Sequence, residues 1–115
     1  MSEASFTAGD VVWAPDPYTA GTNPRPWLVL SADLPYAGEE YICAGLTLSD
    51  LPANVAVSDD DWLVGGGGDT TSYCSPWVVA TVKHDAVVNP QGELTPAFTR
   101  QIVSRCVEYV TANIE

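Results

Sequence analysis

Few residues of this 115-residue chain are equipped for chemistry. It has four cations, three arginines and the lone Lys83, and one of them, Arg25, stands between Pro24 and Pro26. Prolines stiffen the backbone on either side and so help to aim that side chain. A guanidinium aimed in this way is a planar fork matched to a phosphate, or else the partner of one of fifteen acids. His84 is the only histidine, which removes paired-imidazole catalysis; flanked by Lys83 and Asp85, it reads as a surface turn residue. Cys43, Cys74 and Cys106 are odd in number, widely spaced and without a C-x-x-C pair, which argues against a zinc knuckle or a disulfide framework. Cys43 and Cys106 fall on apolar patterns and read as core. Cys74, in SYCSPW, reads as the more exposed thiol and the candidate nucleophile of the three. Asp59–Asp61 would alternate sides on a strand and read as a solvated face rather than a cation site. The glycine run 65–68 is followed neither by G-K-[ST] nor by a helical pattern, so it reads as a flexible hairpin tip and not as a phosphate loop. No metal site and no cofactor are expected from these residues.

The elements that must position these groups are short strands and one helix. Residues 10–14 (DVVWA) follow Gly9 as a first strand, and the prolines and glycine at 15, 17, 21 and 24 make 16–25 an exposed loop. The continuous apolar run 27–31 (WLVLS) reads as a second strand buried on both faces. Residues 41–48 (YICAGLTL), 53–58 (ANVAVS) and 76–83 (PWVVATVK) read as three more, with Pro76 at a first position where no ladder donor is needed. Thr95 is an N-cap followed by Pro96 at N1. Phe98, Ile102, Cys106, Val110 and Ile114 recur every four residues, widened by Val103 and Val107. That predicts one amphipathic helix over 95–113 laid on a sheet. Five or six antiparallel strands and a terminal helix make a small barrel with a helical cap, one domain over 1–115.

Composition limits the partners. Four cations against fifteen acids give a net charge of −11, with 46% hydrophobic residues, enough for a core. No apolar run approaches the roughly 20 residues of a membrane span, and the N-terminus reads as lacking a secretory signal, so a cytoplasmic protein is expected. Such a charge repels phosphate in dilute buffer. The scarcity of lysine and the many small residues favour adaptation to a molar-salt cytoplasm, where the Debye length is about 3 Å and the repulsion is screened at contact.

Two segments carry a resemblance. GDVVW at 9–13 and, after a glycine-containing loop, RPWLVLS at 25–31 resemble the leading signature of the MazF/PemK (Kid) toxin family. AGLT at 44–47 is similar to the segment holding that family's active-site threonine, and QGELT at 91–95 leads into the terminal helix as it does there. The resemblance implies an SH3-like antiparallel β-barrel with a C-terminal helix, usually a homodimer. It implies metal-independent, sequence-selective cleavage of single-stranded RNA, restrained by a cognate antitoxin protein. It places the catalytic arginine at Arg25 and the threonine at Thr47, with Thr22 and Asn23 as substrate-binding residues of the loop before Arg25. The loop is shorter than the family's usual one and basic residues are scarce. The alternatives are therefore a non-catalytic PemK-like dimeric binding module or a gyrase-type toxin.

Overall fold

In the computed structural model, residues 5–18, 23–33, 35–66, 68 and 70–114 are described. Seven antiparallel strands form one sheet: β1 (Asp10–Pro15), β2 (Pro24–Ser31), β3 (Glu40–Thr47), β4 (Val55–Val57), β5 (Trp62–Val64), β6 (Ser72–Lys83) and β7 (Asn89–Leu94). Their order across the sheet is β4-β6-β3-β2-β1-β7-β5. The two edge strands, β4 and β5, are joined by a single 3-10 turn, Asp59–Asp61. So short a connection between opposite edges requires the sheet to curl round into a near-closed, SH3-like barrel. The helix α1 (Pro96–Thr111) follows β7.

The expected first three strands are present. β1 starts behind Gly9, whose positive φ of 101° and whose closeness to the Leu94 carbonyl leave no room for a side chain. β2 is buried at Trp27, Leu28 and Val29 in succession, because both of its faces are covered. Leu28 joins Val11, Ala44, Leu46, Leu94, Phe98 and Ile102 in one core, while Trp27 and Val29 join Val12, Tyr41, Cys43 and Val82 in a second on the opposite face.

Several expectations are corrected. The fold has two more strands than the five read from the sequence, β5 and β7, and the acidic triplet forms a 3-10 turn instead of lying on a strand. Ser58 and Asp61 close that turn, with the Ser58 amide donating to Asp61 Oδ2 at 2.9 Å. β6 begins at Ser72, so Pro76 lies inside it. The ladder to β3 passes from Ala44↔Val79 to Gly45↔Ser75, and Pro76 sits in the resulting bulge, where it has no hydrogen bond to supply.

The helix starts as expected, with Thr95 Oγ1 accepting the Phe98 amide at 3.2 Å. Its apolar stripe is not buried throughout. Phe98 and Ile102 are in the core and Cys106 is half-buried, but Val110 and Ile114 are 66% and 76% exposed. Full burial is confined to the first half of the helix, and near its end Tyr109 makes an edge contact with Trp77 of β6, ring centres 6.3 Å apart. No helix among the described residues is long and apolar enough to cross a membrane.

Candidate active site

β2 and β3 are antiparallel, and Trp27 lies opposite Gly45. Two residues further in that register, Arg25 comes level with Thr47, and level residues of neighbouring strands share a face. The ladder therefore brings together the arginine and the threonine, 22 positions apart in the chain. Arg25 belongs to β2 itself rather than to an exposed loop, and its side chain is 24% exposed.

The guanidinium is held on several sides. Nη2 donates to the Leu46 carbonyl oxygen at 2.7 Å, and Nε donates to the same oxygen at 3.3 Å. Nη1 lies 3.2 Å from Asp16 Oδ2. Its carbon stands 5.4 Å from the centre of the Trp27 ring, a cation–π contact. A guanidinium has five N–H donors; three are engaged by the described residues, which leave two that none of them uses. Asp16 is fixed in turn, its Oδ1 accepting the Tyr18 amide at 2.8 Å, and the Tyr18 hydroxyl donates to the Val79 carbonyl oxygen.

Thr47 is held by its own relay. Its Oγ1 accepts the Ser49 amide at 3.2 Å, so the hydroxyl proton is directed elsewhere. Asn54 Nδ2 donates to the Ser49 carbonyl at 2.9 Å, and Asn54 Oδ1 accepts from Oγ of the buried Ser75 at 2.6 Å. The loop after β3 is thereby tied to β6.

Arg25 and Thr47 line a cavity of about 370 Å³ with Trp13, Asp16, Asn23 and Ser72. It shares Pro26, Leu46 and Ser72 with a second cavity of about 520 Å³ between the barrel edges, lined by Val57, Asp59, Trp62 and Gln91 among others. Asn23, singled out in the loop before Arg25, lines the first of these cavities. Thr22, the other loop residue singled out in the sequence, lies outside the described residues.

The remaining candidates are elsewhere. His84 is at the far end of β6, where its Nδ1 lies 2.6 Å from the Tyr41 hydroxyl and Phe6 packs beside it. Lys83, paired with Glu40 at 3.0 Å, marks the start of β3, seven residues or roughly 23 Å from Thr47. Cys74, expected to be the exposed thiol, is fully buried on β6 opposite Leu46. Burial pushes its pKa up to about 12 against the opposing pull of Arg25, so at neutral pH it is no thiolate nucleophile. Cys43 is buried and likewise pushed up to about 12 by burial. Among the described residues, no three His, Cys, Asp or Glu side chains are grouped to hold a metal ion.

Asp16, Asn54 and Ser75 had not been singled out in the sequence. An Asp-Pro step at 16–17 and an Asn after Leu-Pro-Ala at 51–54 read as ordinary turn residues, and nothing local says which side chains they meet.

A near-closed antiparallel barrel with one terminal helix is the fold of solved MazF-type toxin structures. The structure matches an endoribonuclease solved in complex with its cognate antitoxin, from a mycobacterial species, with a TM-score of 0.63 and 20% identity, covering 96% of each chain. It also matches an endoribonuclease from a mycobacterial species (TM-score 0.63, 19% identity, 95% of this chain and 93% of that one). A third match is the Mycobacterium tuberculosis toxin MazF-mt6 (TM-score 0.63, 15% identity, 90% of this chain and 96% of that one). No family model matches the sequence, and no curated protein matches it. At these identities the likeness establishes the fold, in agreement with the expected SH3-like barrel.

Proposed function

We propose that this chain is the toxin of a toxin–antitoxin pair, a MazF/PemK-like endoribonuclease that cleaves single-stranded RNA without a metal in the cytoplasm. The observation that carries the reading is the joint presence of the Arg25 guanidinium, with two unused N–H groups, and the Thr47 hydroxyl on one cavity large enough for a nucleotide phosphate. The reaction is attack of the RNA 2′-oxygen on the adjacent phosphorus, its proton passing to water, with departure of the 5′-oxygen, which takes a proton from water, and a 2′,3′-cyclic phosphate left behind. Negative charge grows on the non-bridging oxygens during attack. A fixed cation with two aligned donors stabilises that charge more than it stabilises the bound substrate. Thr47 donates its hydroxyl proton to a phosphate oxygen. Asn23, at the mouth, contacts the neighbouring nucleotide.

Two partners accompany this reading. A cognate antitoxin protein restrains the enzyme, as the antitoxin complex of the matched endoribonuclease suggests. A homodimer is supported by α1, where Val103, Val107 and Val110 are exposed at 4-3 spacing, the seam by which helices pack on one another. The reading takes residues 1–115 as one MazF/PemK-like domain.

The test is cleavage of a mixed-sequence single-stranded RNA in molar salt with a chelator present, comparing the wild type with Arg25→Ala and Thr47→Ala. Cleavage giving cyclic phosphate ends, abolished by Arg25→Ala, supports the reading. A folded protein that cuts no RNA under these conditions returns the chain to a non-catalytic binding module, which the scarcity of cations favours.

A further inference from the structure

We propose that Gly45 and Asp16 are positioning residues that form a slot for the Arg25 guanidinium, turning its two unused N–H groups toward the cavity. The purpose given to the slot rests on the reading of the cleft as an RNA-cleaving site; its existence does not.

Gly45 lies in the interior of β3, at the bulge opposite β6, and is buried. A glycine there weakens a strand, and its φ is not among the positive ones that demand glycine. Space supplies the reason. A Cβ at Gly45 would stand 3.2 Å from Arg25 Nη2, 3.3 Å from Arg25 Cζ and 3.3 Å from Val78 Cγ1. A side chain there requires the guanidinium or Val78 to give by a few tenths of an ångström, and any yielding by the guanidinium disturbs its bonds to the Leu46 carbonyl.

Asp16 works from the other side. Its side chain is only 8% exposed, and its two oxygens are divided between Arg25 Nη1 and the Tyr18 amide. A carboxylate 3.2 Å from the cation weakens its pull on an anion, so the carboxylate adds no affinity for phosphate. What it adds is direction. With Nε, one N–H of Nη2 and one of Nη1 engaged, the remaining pair is held in place before any substrate arrives. The slot therefore acts on kcat more than on KM.

The experiment reads both the geometry and the reaction. The chain has three arginines, and Arg100 and Arg105 are exposed on α1, so the Nε–H of Arg25 is the one expected to exchange slowly in ¹⁵N-labelled protein. Gly45→Ala should shift that resonance and speed its exchange. It should also lower kcat severalfold to about tenfold, because a displacement of a few tenths of an ångström costs less than the roughly hundredfold of a 1 Å misplacement. Adding Val78→Ala relieves the other close contact, so it should recover thermal stability and leave kcat and the resonance as in Gly45→Ala. Asp16→Asn changes almost no volume and reports on the slot even if Gly45→Ala does not fold. It should lower kcat with KM unchanged or reduced, because the anion loses a repelling charge.

Wild-type exchange and wild-type kcat in Gly45→Ala would overturn the slot. So would full recovery of kcat by Val78→Ala, or an Asp16→Asn variant whose KM rises at constant kcat. If the wild type cuts no RNA while the Arg25 resonance is protected and is disturbed by Gly45→Ala, the slot stands and the nuclease reading falls.

Discussion

The carbonyl oxygen of Leu46 receives Arg25 Nη2 at 2.7 Å, so the guanidinium is registered against the residue directly before Thr47. The cation and the hydroxyl are thus referred to one strand end, and a shift in β3 moves both together. That coupling separates variants that remove a group from variants that misplace it.

Arg25→Ala is expected to abolish RNA cleavage, and Arg25→Lys to fail largely, because an ammonium lacks the planar two-point grip. The ion pair also alters the stability expected of this variant. Reading Arg25 as serving only the phosphate would leave the melt unchanged, but its removal strands the 8%-exposed Asp16 carboxylate. We expect a loss of about 1–3 kcal/mol for Arg25→Ala, part of it recovered by adding Asp16→Asn. Thermal melts of the single and double variants check this; equal melting points for wild type and Arg25→Ala would mean that the pair adds nothing.

Thr47→Ala should slow cleavage roughly ten- to several-hundredfold, the range for one or two hydrogen bonds strengthened in the transition state. Thr47→Ser should keep much of the activity, since its hydroxyl can still accept the Ser49 amide and donate to the phosphate. Single-turnover rates decide the matter. Equal losses in the alanine and serine variants would move the role from the hydroxyl to the methyl group.

Alkaline pH should destabilise the fold through its thiols. Burial raises Cys43 and Cys74 from 9.0 to about 12, so the folded chain keeps two protons that the unfolded chain releases. The contribution is whole below pH 9.0 and declines as pH rises toward 12, by up to ~1.4 kcal/mol per pH unit for each thiol. Melting points should fall between pH 8 and pH 10.5, and Cys43→Ala should show a flatter decline. In native protein at neutral pH a thiol reagent should label the half-buried Cys106 first. Rapid modification of Cys74 would contradict its burial.

Salt should stabilise the protein. A charge of −11 repels itself at low ionic strength, and molar potassium chloride shortens the Debye length to about 3 Å. The melting point should climb steadily from dilute buffer to molar salt, and RNA affinity should be better kept than in a basic nuclease. A melt indifferent to salt would remove the case for adaptation to a salty cytoplasm and leave the acidity as an objection to RNA binding.

The sequence by itself determined the pieces whose signals are local. Continuous apolar runs marked β2 and most of β3, because strands covered on both faces cannot alternate. Thr95 and Pro96 marked the helix start, since a cap is made by residues three apart. Arg25 stood out because the chain has so few cations. The tertiary structure decided what depends on distant partners. β7, NPQGEL, has little strand character and exists because β1 supplies its ladder from about eighty residues away, with Asp10 paired to Glu93. The three-residue β5 exists because β7 is there to receive it. Pro76 hid the first third of β6, and with it the burial of Cys74, until a bulge placed the proline where it needs no donor. The heptad-like spacing of α1 indicates an apolar face but not how much of it the sheet buries, so Phe98 and Ile102 are buried while Val110 and Ile114 meet solvent. The slot around Arg25 also lay beyond the sequence. Asp16 follows β1 while Gly45 and Leu46 are on β3, and only the pairing of β2 with both strands brings a carboxylate, a missing side chain and a carbonyl oxygen to one guanidinium.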